Sequence, residues 1–355
     1  VSDAVLVTGA FGMVGTQTVK RLAADGRRVV ATDLDTPANR SAAEKLPAGV
    51  QMRYADLTDP KAVDTLVSEI APAAIIHLAA IIPPFCYARR GLARKVNVGA
   101  TASLLAAAAR QPAPPRFVQA SSIAVYGARN PHKISDVLTA ETPVNPTDIY
   151  GQHKVEAEAL VRASGLDWLI LRLGGVLTSE PGFGMDRDLL FFEGVLPADG
   201  RLQTVDVRDV ASAFAAATTV DVTGRVLLIG GDDSHRQLQG EIARETTAAM
   251  GVGQLTPTGR PGNPDSDTDW FATDWMDSAT AQEILGHQHH SWPQTLADTA
   301  AFIGWKRWPM LLAAPLARFY FTKNNVYQGV PGPYADIWNT IRDKWGEPGP
   351  DGDTK

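Results

Sequence analysis

At 355 residues, with 45% apolar and 20% charged side chains, the chain can bury a large α/β core and is too apolar to be disordered as a whole. A net charge of −6 without blocks of like charge argues against a nucleic-acid surface, and no run of 18 apolar residues offers a membrane span. The single cysteine, Cys86, forbids an internal disulfide and fits a reducing, cytoplasmic setting, and a first strand at Ala4 leaves no room ahead of it for a signal peptide.

Ala4 to Val7 reads as a strand, followed by glycines at Gly9, Gly12 and Gly15, a helical pattern, and a second strand from Arg28 to Asp33. Strand, glycine turn, helix and strand in about 30 residues have the size of a dinucleotide-binding unit. Gly9 permits the tight turn, Gly12 lets backbone approach a pyrophosphate, and Gly15 lets the helix pack on the strand. The helix N-terminus offers free N–H groups to the phosphates. Asp33 can accept from both adenosine ribose hydroxyls and would repel a 2′-phosphate, which favours NAD over NADP.

Further along, Val50 to Tyr54 reads as a strand, Asp59 to Glu69 as a helix capped by Asp59 with Pro60 in its first turn, and Ala74 to Leu78 as a buried strand. Arg94 to Arg110 reads as one Ala-rich helix, and Arg116 to Ala120 as a strand. Pro146 to Ser164 follows as a helix with Thr147 or Asp148 as cap, and Trp168 to Leu173 as another strand. This alternation, with strands lacking polar alternation, predicts a Rossmann-type, doubly wound parallel sheet. Segment 178–203 reads as a long loop, Asp209 as the opening of a helix over 210–218, Val226 to Ile229 as a strand, and Leu238 to Met250 as a helix. Residues 251–269 read as a linker or surface loop, and 280–305 as helical. The expected division is a nucleotide-binding domain over 1–175, with about 204–230 returning to it, and a smaller carboxyl-terminal substrate-binding lobe over 176–305. An extension over 306–355 completes the chain, and its Gly-, Pro- and Asp-rich tail, 346–355, is expected to be disordered.

Tyr150 and Lys154 stand four residues apart and share a helical face. An ammonium beside a phenol favours the phenolate, so this tyrosine can exchange a proton with a secondary alcohol or carbonyl while hydride moves. Ser122 follows the strand that starts at Arg116. A hydroxyl just past a strand's carboxyl end faces the ligand crevice and can hold the substrate oxygen.

Together these pieces resemble the extended short-chain dehydrogenase/reductase family, over about residues 4–305. Thr8-Gly9-Ala10-Phe11-Gly12-Met13-Val14-Gly15 matches its glycine motif, Asp33 its ribose acid, and Asp56-Leu57 its adenine contact. His77-Leu78-Ala79-Ala80 matches its small-residue strand end, and Asn97 its helix asparagine. The resemblance implies a catalytic set of Ser122, Tyr150 and Lys154. It implies that NAD lies on Gly9, Phe11, Gly12, Met13, Val14, Gly15, Asp33, Asp56, Leu57, Leu78, Ala79, Ala80 and Asn97, with Tyr150 and Lys154. Ile82, Ser122, Ile123 and Arg187 are the candidate substrate contacts, and Arg201 is a further possible anion contact.

The family's sugar dehydratases carry Thr-Asp-Glu after the serine, where this chain has Ser122-Ile123-Ala124, so dehydration is not expected. Many nucleotide-sugar enzymes carry an asparagine three residues after an arginine, where this chain has Arg172 and then Gly175. The expected activity is NAD-dependent hydride transfer on a small-molecule secondary alcohol or carbonyl, as an oxidoreductase or an epimerase. A nucleotide-sugar 4-epimerase and a hydroxysteroid-dehydrogenase-like enzyme on a less polar alcohol both stay open, as does a non-catalytic NAD-sensing protein. A homodimer is implied by analogy alone. The extension interleaves Trp305, Trp308, Phe319, Tyr320 and Phe321 with Lys306, Arg307, Arg318 and Lys323. Packing on the body is the expected role, with membrane-surface contact by 306–323 as the other reading. His287 to His290 reads as a solvated turn rather than a metal site, and no metal is expected.

Overall fold

The computed structural model describes residues 3–181, 187–253, 259–312, 314–315 and 326–352. β1 (Val5–Thr8) leads through the glycine turn into α1 (Met13–Ala24), and β2 (Val29–Asp33), α2 (Pro37–Ala43), β3 (Gln51–Tyr54) and α3 (Pro60–Ile70) follow. α3 begins because the Asp59 carboxylate accepts from the Lys61 N–H, while Pro60 fills the first helical position, where an N–H is not needed. After β4 (Ala74–His77) come the short helices α4 (Phe85–Ala88) and α5 (Arg90–Arg94), a π-helical turn over Lys95–Gly99, and then α6 (Ala100–Ala109). The single helix expected over Arg94 to Arg110 is therefore interrupted. Asn97 sits in the interruption with both side-chain amide atoms bonded to the backbone of Ile81.

β5 (Arg116–Ser122), α7 (Ile149–Ala163), β6 (Trp168–Leu173) and β7 (Gly175–Leu177) continue the chain, then α8 (Arg187–Val195), β8 (Arg201–Asp206), α9 (Val207–Ala217), β9 (Arg225–Ile229), β10 (Arg236–Leu238) and α10 (Gln239–Ala249). The loop expected over 178–203 thus holds a helix and the start of a strand, because Leu189 to Phe192 has an apolar cluster to join; residues 182–186 lie outside the described residues. α9 starts earlier than expected: its cap is Asp206, whose carboxylate accepts from the Arg208 N–H, and Asp209 lies buried within the first turn. α11 (Ala279–Leu285), α12 (Trp292–Ile303), a helical stretch α13 (307–312) and α14 (Ile337–Trp345) complete the described elements.

Seven strands form one parallel sheet in the order β3-β2-β1-β4-β5-β6-β9. Its central strands are buried on both faces, one layer built on Val5, Val7, Ile76, Val118 and Leu171 and the other on Leu6, Ile75, Phe117 and Ile170. Each fully buried Val, Leu or Ile contributes roughly 1.5–3 kcal/mol, so these paired layers dominate the stability of the sheet. The chain order reverses between β1 and β4, and the crevice beyond their carboxyl ends is where this topology binds ligands. A second sheet, β10-β8-β7, stands beside the first. A third apolar cluster joins Cys86 and Tyr87 of α4, Ile149 of α7, Phe192 of α8 and Ile337 and Ile341 of α14, so the carboxyl-terminal extension packs on the body.

Residues 346–352 are described and docked: Arg90 donates to the carbonyls of Glu347 and Gly349 and to Asp351, and the Ile149 N–H donates to the Pro348 carbonyl at 2.9 Å. Proline and glycine supplied a bend here, and an arginine supplied the partner. Residues 353–355 lie outside the described residues. So do 254–258 of the expected linker, whose remainder packs: Gly262 lies against the Trp270 ring, and Arg260 donates to four carbonyls over Tyr327–Tyr334.

Candidate active site

The glycine turn has the shape its residues predict. Gly9 adopts φ +65°, and a Cβ there would sit 2.8 Å from the Ala79 backbone. A Cβ on Gly15 would lie 2.1 Å from the Gly9 carbonyl oxygen, so this glycine is needed by the fold itself. Gly12 differs: a Cβ would meet only the Gly9 oxygen at 3.4 Å, an ordinary contact, and Gly12 is exposed. The protein does not require glycine there, whereas a pyrophosphate approaching the backbone would. Asp33 accepts from the Phe11 N–H at 3.1 Å, from the Leu34 N–H at 2.8 Å and from the Asn39 side chain at 3.2 Å. Its carboxylate is held at the end of β2 beside the turn. These residues fit a dinucleotide: an open cradle at Gly12, free helix N–H groups beyond it and an oriented acid beside it.

The walls are pinned by buried polar residues that the sequence reading had not singled out for this. The Thr8 hydroxyl pairs with Nδ1 of His77 at 2.7 Å and accepts from the N–H groups of Leu78 and Ala79. Nε2 of His77 meets the Thr101 hydroxyl, and burial, with the Lys154 charge adding, lowers the His77 pKa to about 3, so the ring is a neutral tie between β1, β4 and α6. Asn97 spends its side chain on Ile81, and the Leu57 side chain is buried in the core. Ile123 is buried with Val125, Tyr126 and Leu138. Asp56 is exposed and holds Thr58, Ile82 and Met13 are exposed, Val14 packs on the core, and Ala80 is half-buried.

Ser122 ends β5, and Tyr150 and Lys154 lie in the first turns of α7, which starts on the Asp148 cap. The three meet at the carboxyl edge of the sheet. The Lys154 ammonium lies 5.6 Å from the centre of the Tyr150 ring and donates to the Ala120 carbonyl at 2.8 Å. Burial lowers the Lys154 pKa to about 8 against the opposing pull of Glu158, which leaves it mostly charged at neutral pH. Burial also pushes the Tyr150 phenol above its ordinary value. Cys86 and Asp148 add to that rise, and a hydrogen bond with Ser122 opposes it. Lys154 therefore does not by itself bring the tyrosine towards neutrality.

Glu158 is the hub behind this set, one turn beyond Lys154 and on the same face of α7. It accepts from the Ser121 hydroxyl at 2.6 Å and takes a two-point pair from Arg172 at 2.8 and 2.6 Å. Arg172 also reaches the Tyr126 hydroxyl. The pair is almost wholly buried, and removing one partner of such a pair costs about 3–5 kcal/mol. Its function is to lock α7 onto β5 and β6. The sequence signal was the i, i+4 step from Lys154.

Arg187, expected on the substrate, opens α8 with an exposed side chain. Arg201 is corrected: it is buried in an ion pair with Asp274 at 2.9 Å and donates to the Ile134 carbonyl, so it is no anion contact. The His287 to His290 segment is a strut rather than a solvated turn. His287 is buried against the Gly230 carbonyl, and the N–H groups of His289 and His290 both donate to Asp209. Among the described residues no group of three or more His, Cys, Asp or Glu converges as metal ligands.

Residues 5–189 match the NAD dependent epimerase/dehydratase family. The chain belongs to that family. A probable UDP-arabinose 4-epimerase 3 of Arabidopsis thaliana is 32% identical over 194 residues, 50% of this chain and 44% of that protein. A D-erythronate dehydrogenase of Cupriavidus necator is 30% identical over 197 residues, 50% of this chain and 56% of that one. The chain spans about half the length of these curated relatives. Among solved structures, MoeE5 in complex with UDP-glucuronic acid and NAD is 26% identical, with a TM-score of 0.66 over 84% of this chain and 98% of that one. The UDP-glucose 4-epimerase of Thermus thermophilus in complex with NAD shares the fold at 22% identity, with a TM-score of 0.68 over 84% and 98%. NAD is thus the cofactor of the family, and the cradle of Gly9, Gly12 and Gly15 with Asp33 fits it. No described helix is long and apolar enough to cross a membrane.

Proposed function

We propose that the protein is an NAD-dependent oxidoreductase or epimerase that transfers hydride at a secondary alcohol or carbonyl carbon. The observation that carries this reading is the meeting of Ser122, Tyr150 and Lys154 at the carboxyl edge of the sheet, beside the glycine cradle. NAD, when bound, supplies the hydride acceptor. Tyr150 holds the proton at its phenol oxygen and gives it to, or takes it from, the substrate oxygen. Ser122, already bonded to that phenol, positions the substrate oxygen at it. Lys154 supplies a fixed positive charge near the ring, and its bond to the Ala120 carbonyl keeps the ammonium from swinging into solvent. Glu158 holds this charge in place from behind.

Substrate choice follows from what surrounds Tyr150. Its ring packs against an apolar cluster containing Ile81, Cys86, Phe192 and Phe271, which favours a reacting carbon with little polar substitution on that side. The relatives named for UDP-arabinose and D-erythronate support a polyol-like alcohol as the other class. The deciding experiment compares wild type with Tyr150→Phe. Both should bind NAD alike by titration calorimetry. Reduction of NAD read at 340 nm, and 4-epimerisation read by product analysis, are screened with UDP-sugars, sugar acids and hydroxysteroids. The variant should lose about 10²–10⁴-fold in turnover. Unchanged turnover on the accepted substrate would remove Tyr150 from the chemistry.

A further inference from the structure

α1 and α9 pack side by side, and where they meet the His287 to His290 strut lies an open cleft of about 550 Å³. That volume falls within the roughly 300–1,000 Å³ of small-molecule sites. Gln17, Lys20 and Arg21 line it from α1, Arg208 and Ser212 from α9, and His289 and His290 from the strut. Among the described residues no carboxylate lines it. The acids hold the lining side chains from outside it. Nε of Arg21 meets both oxygens of Asp25, and its Nη1 donates to the Ser212 hydroxyl at 2.6 Å. Nε and Nη2 of Arg208 donate to the buried Asp206 at 2.8 and 2.7 Å, and Nη2 also lies 2.8 Å from Asp298. Nδ1 of His290 meets the buried Asp209 at 2.6 Å.

Each pairing leaves a polar atom unspent. Nη2 of Arg21, Nη1 of Arg208 and Nε2 of His290 have no hydrogen-bond partner among the described residues, and neither has the Lys20 ammonium or the Gln17 amide. Nδ1 of His290, facing a carboxylate, carries the ring proton, so Nε2 accepts an acidic O–H or, once protonated, donates. Arg21 and Arg208 are already balanced by their acids, so the cleft is no strong positive field, and Lys20 supplies its uncompensated charge. What it offers is a set of N–H groups held in fixed positions on three separate segments. That arrangement suits an anion whose acceptor oxygens point in several directions. A carboxylate has two in one plane, and a phosphate has three spread over a tetrahedron. We propose that this cleft binds the phosphate group of a small phosphorylated molecule, at a site apart from the dinucleotide cradle. Its α1 residues begin a full turn beyond Met13, where the cradle ends, and the volume leaves room for the organic part of the ligand.

The test uses the full chain saturated with NAD, so that the glycine cradle is already filled. Sodium pyrophosphate is the ligand, with ionic strength held constant by sodium chloride. Titration calorimetry should read a single site with a dissociation constant of about 1 mM or below. The thermal midpoint should rise with pyrophosphate and not with acetate at the same ionic strength. Lys20→Glu, at an exposed side chain without a partner, should weaken binding about tenfold and leave the midpoint without pyrophosphate unchanged. Arg208→Lys, which keeps a charge for Asp206 and removes the unspent arm, should weaken it as well. Lys45→Glu makes the same change of charge on an exposed lysine outside the cleft and should bind as wild type does. The proposal is overturned by an NAD-saturated chain that binds no pyrophosphate, or that binds acetate as well. It is equally overturned by binding indifferent to Lys20→Glu, or weakened as much by Lys45→Glu.

Discussion

Oδ2 of Asp33 accepts the backbone N–H of Phe11 at 3.1 Å, so the acid at the end of β2 is also a strut of the glycine turn. One carboxylate serves both halves of the dinucleotide cradle. Asp33→Ala should therefore weaken NAD by more than the loss of ribose contacts alone, about 10- to 100-fold, since charged-group hydrogen bonds contribute roughly 1.5–3 kcal/mol. The preference for NAD over NADP should fall with it. Titration calorimetry with both nucleotides measures the two effects, and a variant that binds NAD as wild type does would refute the assignment.

Two glycines of the same turn should separate by experiment. Gly15→Ala forces a Cβ to 2.1 Å from the Gly9 oxygen and should unfold the turn, read as a lowered thermal midpoint without any ligand. Gly12→Ala meets no such obstacle in the protein. It should melt within a degree or two of wild type yet bind NAD at least tenfold more weakly.

Asp148 ties α7 to the wall opposite. Its carboxylate accepts from the Gly151 N–H at 2.8 Å and from the Tyr87 hydroxyl at 2.6 Å, and Cys86 and Tyr150 stand near it. Burial raises its pKa from 3.8 to about 6, against the lowering effect of its hydrogen bonds. A carboxyl raised by folding favours the fold when protonated. Its contribution is full below about 4, is lost as pH rises to about 6, and is a cost of roughly 3 kcal/mol at most above that. Asp148→Asn keeps the cap and removes the charge. Urea denaturation should show the variant gaining stability relative to wild type between pH 4 and pH 7; a difference independent of pH would place the carboxylate in its ordinary range.

The tail offers a fourth test. Truncation after Trp345 removes the Pro348 carbonyl from Ile149, the partners of Arg90, and Asp351, whose N–H donates to Gln152. Tyr150 lies between Ile149 and Gly151, so the loss falls on the catalytic turn. Hydrogen exchange should accelerate at residues 149–152 and turnover should drop about tenfold, the consequence of a misplacement of well under an ångström. NAD affinity, held mainly by β1, β2 and their loops, should persist. Normal exchange and turnover would make the tail an ornament.

How legible this was in the sequence depended on the range of each interaction. The glycine turn, the Asp59 cap and the strands from Arg116 and Trp168 rest on local backbone chemistry, and the structure places them within a residue or two of the reading. The Tyr150 and Lys154 face followed from helical spacing. The errors came where a distant partner decided the matter. Segment 178–203 became helix and strand because Phe192 meets Tyr87, Phe271 and Trp345 from three other parts of the chain. Arg201 became a core ion pair through Asp274, and the His287 to His290 turn became a strut through Asp209. No local pattern announces such partners.

The docked tail also sets an order of events during synthesis. Contacts such as Gln152 with Asp351 span 199 residues. The sheet strands from β1 to β9 leave the ribosome well before that partner exists, and amino-terminal units generally fold first. The first turn of the helix that carries Tyr150 must then wait, its Ile149 N–H without the carbonyl that receives it in the finished chain. The nucleotide cradle is complete early in translation, and the catalytic turn is closed only once residues 348–351, some 200 positions further along, have been made.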